Sequence, residues 1–343
     1  MKPDAQPLVS VLTPVYNGEK YLAECIESVL AQTYQNWEYV IVNNCSTDRT
    51  LEIAADYAKR DKRIRIHNNK TFVGCDANGN IAFQQIASES KYCKVVHADD
   101  WIYPECILKM VQLAEIHPSV AIVGAYGLRN DHVAWDGLPY TPSVISGREI
   151  CRISLMGGPY VFGSPTSLLL RSTEVRKRPA FYNDENRHCD IETCFDVLRD
   201  NDFGFVHQVL TFTRDHADSE TSFNARYGTD YLGTLEILAK YGKTYLTDEE
   251  YKQCLKEKWS DYYRFLGIKA LHNSEKEFWP FHRKALERLG YSLSWRKVAR
   301  AVLSYVCTLI FNPYKTSQRI IRKLLHMSKE QRGKREQRLV SHA

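Results

Sequence analysis

The chain has 343 residues, 44% apolar and 25% charged, with a formal net charge of +5. That length suits one large domain with an appendage, or two modest domains, and the composition excludes a disordered or collagen-like chain. The charge is uneven: residues 290–343 hold twelve Lys/Arg against two Asp/Glu, a surplus of about +10 that leaves about −5 for the rest, so a basic tail is set to meet a negative surface such as anionic lipid or nucleic acid.

Residues 8–15 (LVSVLTPV) read as a β-branched strand ending at a proline. Tyr21, Leu22, Cys25, Ile26, Val29 and Leu30 then repeat with helical spacing, and Trp37–Val42 is a second strand. After the polar turn Asn44–Asp48, Thr47 or Asp48 can cap a helix whose stripe is Leu51, Ala54, Ala55 and Ala58. Arg63–His67 is a third strand, Asp76–Ser88 a helix, and Tyr92–His97 a fourth strand running into Ala98-Asp99-Asp100. A helix over Glu105–His117 and a strand over Ala121–Tyr126 follow. Residues 131–165 read as loops with a short helix near Arg148–Leu155. Then come a strand at Ser167–Arg171, a helix at Asp190–Arg199 and a strand or hairpin at Phe203–Thr213. From about residue 226 the texture becomes helical, over Tyr227–Tyr241, Asp248–Leu271 and Glu275–Leu289.

Strand–helix alternation over the first 125 residues or so predicts an α/β fold: a mostly parallel sheet with helices on both faces, then a C-terminal helical region. The domains expected are 1–225 and 226–343. In open sheets of this kind, ligands bind beyond the carboxyl ends of the strands. The polar clusters fall there: Thr13–Asn17, Asn43–Ser46 and Asp99-Asp100.

Adjacent carboxylates at a strand end, Asp99 and Asp100, suit Mg²⁺ or Mn²⁺, whose remaining positions substrate phosphates fill. The alternative is a solvated turn or a cap for the next helix. In His188-Cys189-Asp190-Ile191-Glu192, two carboxylates open a helix, where the dipole favours negative charge. One could serve as a general base, and capping is the alternative. In Arg214-Asp215-His216 the histidine is a candidate metal ligand. The chain has no GxGxxG after a strand, no Walker loop and no GxSxG elbow.

As an ordered set these motifs resemble the inverting glycosyltransferases of family 2, which adopt the GT-A fold, over residues 8–216, about 60% of the chain. The resemblance implies that Thr13, Pro14 and Tyr16 line the nucleotide base. In IVNNCSTDRT, Asn43 and Asn44 stand at the acidic positions, and Asn44 faces the base. FVGCDANGNIAF resembles the Asn-x-Asn variant, with Gly79 in place of the usual Arg and Asn78 towards the site. HADD matches the metal motif with His97 in place of its first Asp: Asp100 is the main ligand, and Asp99 meets the ribose or the metal's water shell. HCDIE supplies Asp190 as base and Glu192 in support, and TRDH sets His216 at the diphosphate, on the metal. The implied reaction is metal-dependent inverting transfer from a sugar nucleotide, UDP-linked in preference to dTDP- or GDP-linked, to a glycan or lipid-linked acceptor in surface polysaccharide synthesis. Its rivals are a sugar nucleotidyltransferase, which would show a Gly-rich basic loop after the first strand, and a non-catalytic nucleotide- or glycan-binding module, which would not need all four carboxylates.

Ten scattered cysteines without CxxC or zinc spacing read as buried reduced thiols in a reducing compartment, and MKPDAQPLVSVL does not read as a signal peptide. The expected location is cytoplasmic. Trp295, Val298, Val302, Tyr305, Val306, Leu309 and Ile310 form an apolar face amid Arg296, Lys297, Arg300, Arg319, Arg322 and Lys323. That pattern suits a helix lying on the cytoplasmic membrane face, or one packed on the catalytic domain. No basic-aromatic platform for nucleic acid is present.

Overall fold

The structure is a computed structural model that describes residues 6–216, 224, 226–272 and 275–311. The chain forms two compact units, Met1–Leu255 and Lys256–Ala343. The division falls later than the change of texture near residue 226. The helix at Thr229–Tyr245 belongs with the first unit, where the Tyr245 hydroxyl donates to the Phe195 carbonyl.

The first unit opens with β1 (Val9–Val15), α1 (Leu22–Leu30), β2 (Trp37–Asn43), α2 (Thr50–Arg60), β3 (Ile64–Asn68), α3 (Cys75–Gln84) and β4 (Tyr92–Val95). α1 forms because Leu22, Cys25, Ile26 and Val29 make one buried stripe at i, i+3, i+4 and i+7. β1 is apolar and buried almost throughout, as a central parallel strand covered on both faces must be. α3 stops at Gln84, short of the expected Ser88. There Gln85 and Ile86 tighten into three-residue turns, and the Ala87 N–H leaves the helix to donate to Glu38 Oε1 at 2.9 Å.

Then follow β5 (Trp101–Ile102), α4 (Cys106–Ile116), β6 (Val120–Arg129), β7 (His132–Ala134), β8 (Val144–Ile145) and α5 (Gly147–Leu155). A 3₁₀ turn at Pro165–Ser167 leads into β9 (Leu168–Arg171), α6 (Ser172–Arg176), α7 (Cys189–Val197), β10 (Asp202–Thr213) and α8 (Thr229–Tyr245). The sheet order is β3-β2-β1-β4-β9-β6-β10-β5, with β7 beside β6 and β8 beside β10. β1, β2, β3 and β4 are parallel, as are β6 and β10; β9 enters antiparallel between β4 and β6. This is the α/β fold expected, with antiparallel strands β5, β7, β8 and β9 added to the parallel ones, one core under α1 and α4 and a second under α3, α5, α7 and α8. Because β9 runs against its neighbours, its start lies at the same end of the sheet as the carboxyl ends of β1, β2 and β4. The 3₁₀ turn therefore joins the polar clusters there.

α9 (Asp248–Ala270) passes from the first unit into the second, which continues with α10 (Phe278–Arg288) and α11 (Trp295–Phe311). Within the second unit, Tyr262 is fully buried with its hydroxyl 2.9 Å from His282 Nδ1, and Gly267 lets α9 approach Ala301 of α11. Val298 is the buried anchor of α11, whereas Trp295, Leu303, Ile310 and Phe311 are exposed. Of the basic residues expected around this face, Arg319, Arg322 and Lys323 lie outside the described residues. Among the described residues no helix is long and apolar enough to cross a membrane.

Candidate active site

At the end of β1 the structure separates residues that the sequence grouped. Tyr16 is exposed and Pro14 half-buried. Thr13 is fully buried: its hydroxyl donates to the Val96 carbonyl at 2.7 Å and meets the Tyr39 hydroxyl at 2.8 Å. It fastens β1 to its neighbours and lines nothing, a correction to its expected place at the base. Asn44 is corrected in the same way. It is 2% exposed, its Nδ2 donates to the Val73 carbonyl at 2.8 Å, and its Oδ1 accepts from the Val73 N–H and from Asn69 Nδ2, each at 3.0 Å. An amide so engaged folds the 69–74 loop against β2, and its edge is turned inward. Asn78 is also buried, accepting from Asn69 Nδ2 at 2.9 Å. The aromatic surface that does stand open is Tyr16 with Phe72, centroids 4.8 Å apart. Phe72 carries no motif that would have singled it out.

Asp99 and Asp100 follow β4 in a turn closed by the Asp100 N–H on the His97 carbonyl. Asp100 is buried. Its Oδ2 accepts from the Thr166 hydroxyl at 2.6 Å and its Oδ1 from the Arg214 N–H at 3.0 Å. Burial, and then the neighbouring Asp99 charge, push its carboxyl up to about 6. Asp99 is partly exposed, with His216 Nε2 2.9 Å from its Oδ2. Arg214 ties these groups to the rim: Nε donates to the Asp99 carbonyl, one terminal nitrogen to Glu24, and the guanidinium lies over Tyr21. Asp215 fixes the same turn by pairing with Arg129. Sequence reading reached His216 but neither Thr166 nor Arg214. Each is placed by a neighbouring strand, which no local spacing reveals.

Asp190 opens α7 and is partly buried, with its Oδ1 accepting the Ile191 N–H at 2.8 Å. Burial raises its carboxyl above the ordinary carboxylate range, while His188 and His97 pull it down. An apolar cavity lies beside it, walled by Val95, Ile122, Phe162, Leu168, Leu170 and Tyr182. Glu192 does not join it, contrary to its expected supporting role. Glu192 is buried and engaged with Lys240 of α8, with Asn186 Nδ2 at 2.6 Å and with Asn183 at 3.4 Å. Two positions along a helix lie about 200° apart, so the two carboxylates point to different partners. The loop before α7 is held by Asn80, whose side-chain amide pairs with both the Tyr182 N–H (2.7 Å) and the Tyr182 carbonyl (2.8 Å). Gly79 has its reason here as well: a Cβ would lie 3.1 Å from the Tyr182 ring, which occupies the space a side chain at 79 would take.

The two carboxylate centres, 90 residues apart in the chain, are linked through the 163–167 segment. His97 acts electrostatically on both Asp100 and Asp190. The 163–167 segment bonds Asp100 through Thr166 and walls the cavity beside Asp190 through Gly163 and Pro165.

The family model for glycosyl transferase family 2 matches residues 10–175. An uncharacterized glycosyltransferase of Rickettsia typhi is 30% identical over 240 residues, 68% of this chain and 73% of that protein. Several other curated relatives match over less than half of their own length. Among solved structures, Staphylococcus aureus TarS 1–349 in complex with UDP-GlcNAc shares the fold with a TM-score of 0.59 at 20% identity, over 81% of this chain and 79% of that one. The Pyrobaculum calidifontis mannosyltransferase PcManGT, in complex with GDP-Man and Mn²⁺, does so with a TM-score of 0.55 at 15% identity, over 92% and 84%. The fold is thus that of the GT-A enzymes, and the chain belongs to glycosyl transferase family 2.

Proposed function

We propose that this protein transfers a sugar from a nucleoside-diphosphate sugar to a hydroxyl of a glycan or lipid-linked acceptor in surface polysaccharide synthesis, with inversion at the anomeric carbon. The observation that carries the reading is that one segment, 163–167, touches two unlike carboxylate centres: Thr166 bonds Asp100 of the crowded Asp99–Asp100 pair, and Gly163 and Pro165 wall the apolar cavity beside the lone, partly buried Asp190. The known structures support the donor class, since TarS holds UDP-GlcNAc and PcManGT holds GDP-Man.

Asp99, Asp100 and His216 fit a divalent cation. Their donors are hard oxygens and an imidazole, and Asp100 is a buried carboxylate with a second negative charge beside it. Among the described residues no three His, Cys, Asp or Glu side chains already surround a point, so substrate phosphate oxygens and water would have to supply the remaining ligands. When bound, Mn²⁺ or Mg²⁺ would neutralise charge developing on the departing diphosphate. Asp190 accepts the proton of the acceptor hydroxyl. That oxygen forms its bond to the anomeric carbon as the bond to the diphosphate oxygen breaks on the opposite face, so the configuration inverts. Tyr16 and Phe72 offer the base an aromatic surface. Incubation of the full chain with UDP-, dTDP- and GDP-sugars, a glycan acceptor and Mn²⁺ tests the reading: nucleoside diphosphate is released only with metal, and NMR of the product shows the opposite anomer. A product of retained configuration rules out the single displacement.

The exposed Leu303, Ile310 and Phe311 of α11, beside Arg296, Lys297 and Arg300, support a peripheral site on the cytoplasmic membrane face. The double variant Leu303→Asp/Ile310→Asp is expected to lower binding to phosphatidylglycerol vesicles more than about ten-fold, since burying such a side chain is worth roughly 1.5–3 kcal/mol. Vesicle binding equal to that of the parent chain would remove the membrane from the reading.

A further inference from the structure

The first unit contains a fully buried lysine. Lys94 of β4 is 0% exposed, and its Cα partner in the sheet is Val11 of β1. Its ammonium donates to the Thr166 carbonyl at 2.7 Å and the Leu168 carbonyl at 3.3 Å, with the Met110 sulfur at 3.8 Å. Burying an ammonium is costly, and methionine would fill the same volume among apolar neighbours at no such cost. Burial pulls the Lys94 amine down from its ordinary range, so its hydrogen bonds to the two carbonyls, rather than packing, account for an amine at this position.

What it grips points to the purpose. Thr166 is fully buried. Its carbonyl is on Lys94, and its hydroxyl donates to Asp100 Oδ2 at 2.6 Å and accepts the His97 N–H at 3.1 Å. We propose that Lys94 is a positioning residue that sets the Asp100 carboxylate for the donor's diphosphate and cation by holding Thr166 from behind. The proposal rests on the donor-site reading given above. The 3₁₀ turn is only three residues long and is closed by two backbone hydrogen bonds, Ser167 N–H to Ser164 O and Leu168 N–H to Pro165 O. Without the lysine, the Thr166 hydroxyl is held only by the His97 N–H in front while its carbonyl is released behind, and its hydrogen bond to Asp100 loosens. Partners behind a metal-binding carboxylate change metal affinity when removed, typically by about 10–100-fold.

The test uses the full chain, with UDP and GDP as probes in calorimetric titrations with and without Mn²⁺, and thermal melting in parallel. Lys94→Met is expected to melt at or above the parent temperature, to lose about ten-fold or more in Mn²⁺-dependent nucleotide affinity, and to keep its metal-free affinity. Thr166→Val reproduces the loss, and Thr166→Ser, which keeps the hydroxyl, restores it. A Lys94→Met chain that fails to fold or melts lower makes the lysine a structural anchor and overturns the proposal. So does unchanged Mn²⁺-dependent affinity, or a Thr166→Ser chain as weak as Thr166→Val. If the parent chain binds neither nucleotide, the donor-site reading fails first. If it binds and Lys94→Met binds equally, only the role of Lys94 falls.

Discussion

Asp190→Asn is expected to lower the rate of transfer by about 10²–10⁴-fold, the usual worth of a positioned general base, while leaving nucleotide affinity as it was. The asparagine keeps the Oδ1 acceptor for the Ile191 N–H, so the start of α7 is preserved, but it cannot accept a proton. The pH profile gives a second readout. Burial raises the Asp190 carboxyl, so the basic form is populated only above the ordinary carboxylate range, and activity climbs with pH through that raised value. The same shift fixes the sign of the stability change. A carboxyl that holds its proton more tightly in the folded state costs stability once the pH exceeds its ordinary value, so at neutral pH the neutral variant should melt no lower than the parent. Separate measurement of transfer and of nucleotide binding decides the matter, and equal loss of both would remove Asp190 from the role of base.

Asp100→Asn is the second large effect, and it falls on binding. Mn²⁺-dependent nucleotide affinity should drop by about a hundred-fold or more, because one of two carboxylates available to the cation is gone. Metal-free affinity should stay as it was. Geometry tolerates the change: Oδ1 still accepts from the Arg214 N–H, and the new amide can donate to the Thr166 hydroxyl oxygen. The pH sign again follows from the shift. With the folded-state carboxyl pushed up to about 6, the parent chain loses stability as pH rises from the ordinary Asp value towards 6, and that loss is absent in the variant. Calorimetry with and without Mn²⁺ reads the first effect and thermal melts across pH 4–7 the second. Equal Mn²⁺-dependent affinity in parent and variant would detach Asp100 from the cation.

The α/β order was readable because each opening element states its own burial. β1 and β2 are mostly apolar and almost fully buried, and α1 shows its stripe in four residues. β5, β7 and β8 were not readable, since two or three residues cannot carry a period. In the proposed site, Asp99, Asp100, Asp190 and His216 stand out in the sequence because they sit at element ends in acidic or charged clusters. Thr13, Asn44 and Glu192 were expected to face ligands. The structure turns them inward, because a side chain at a strand end can bond its neighbours as readily as a ligand, and only the neighbours' positions decide. Lys94, Thr166, Asn80 and Arg214 were given no role for the same reason: each acts on a group 66 or more residues away.

The place of β9 also bears on how the chain is made. β4 is complete at Val95, yet its partner on that side begins at Leu168, and in the interval ribosomal synthesis must add the whole of β6 and α5. At about 5–20 residues per second the open edge of β4 lasts for roughly 4–15 s on the nascent chain. An unpaired strand edge is a template for wrong pairing. The Lys94 side chain lies in that strand, and until Thr166 arrives it has neither of its carbonyl partners. A charge in mid-strand discourages two such edges from meeting, so the residue that aligns the finished site also guards the unfinished sheet.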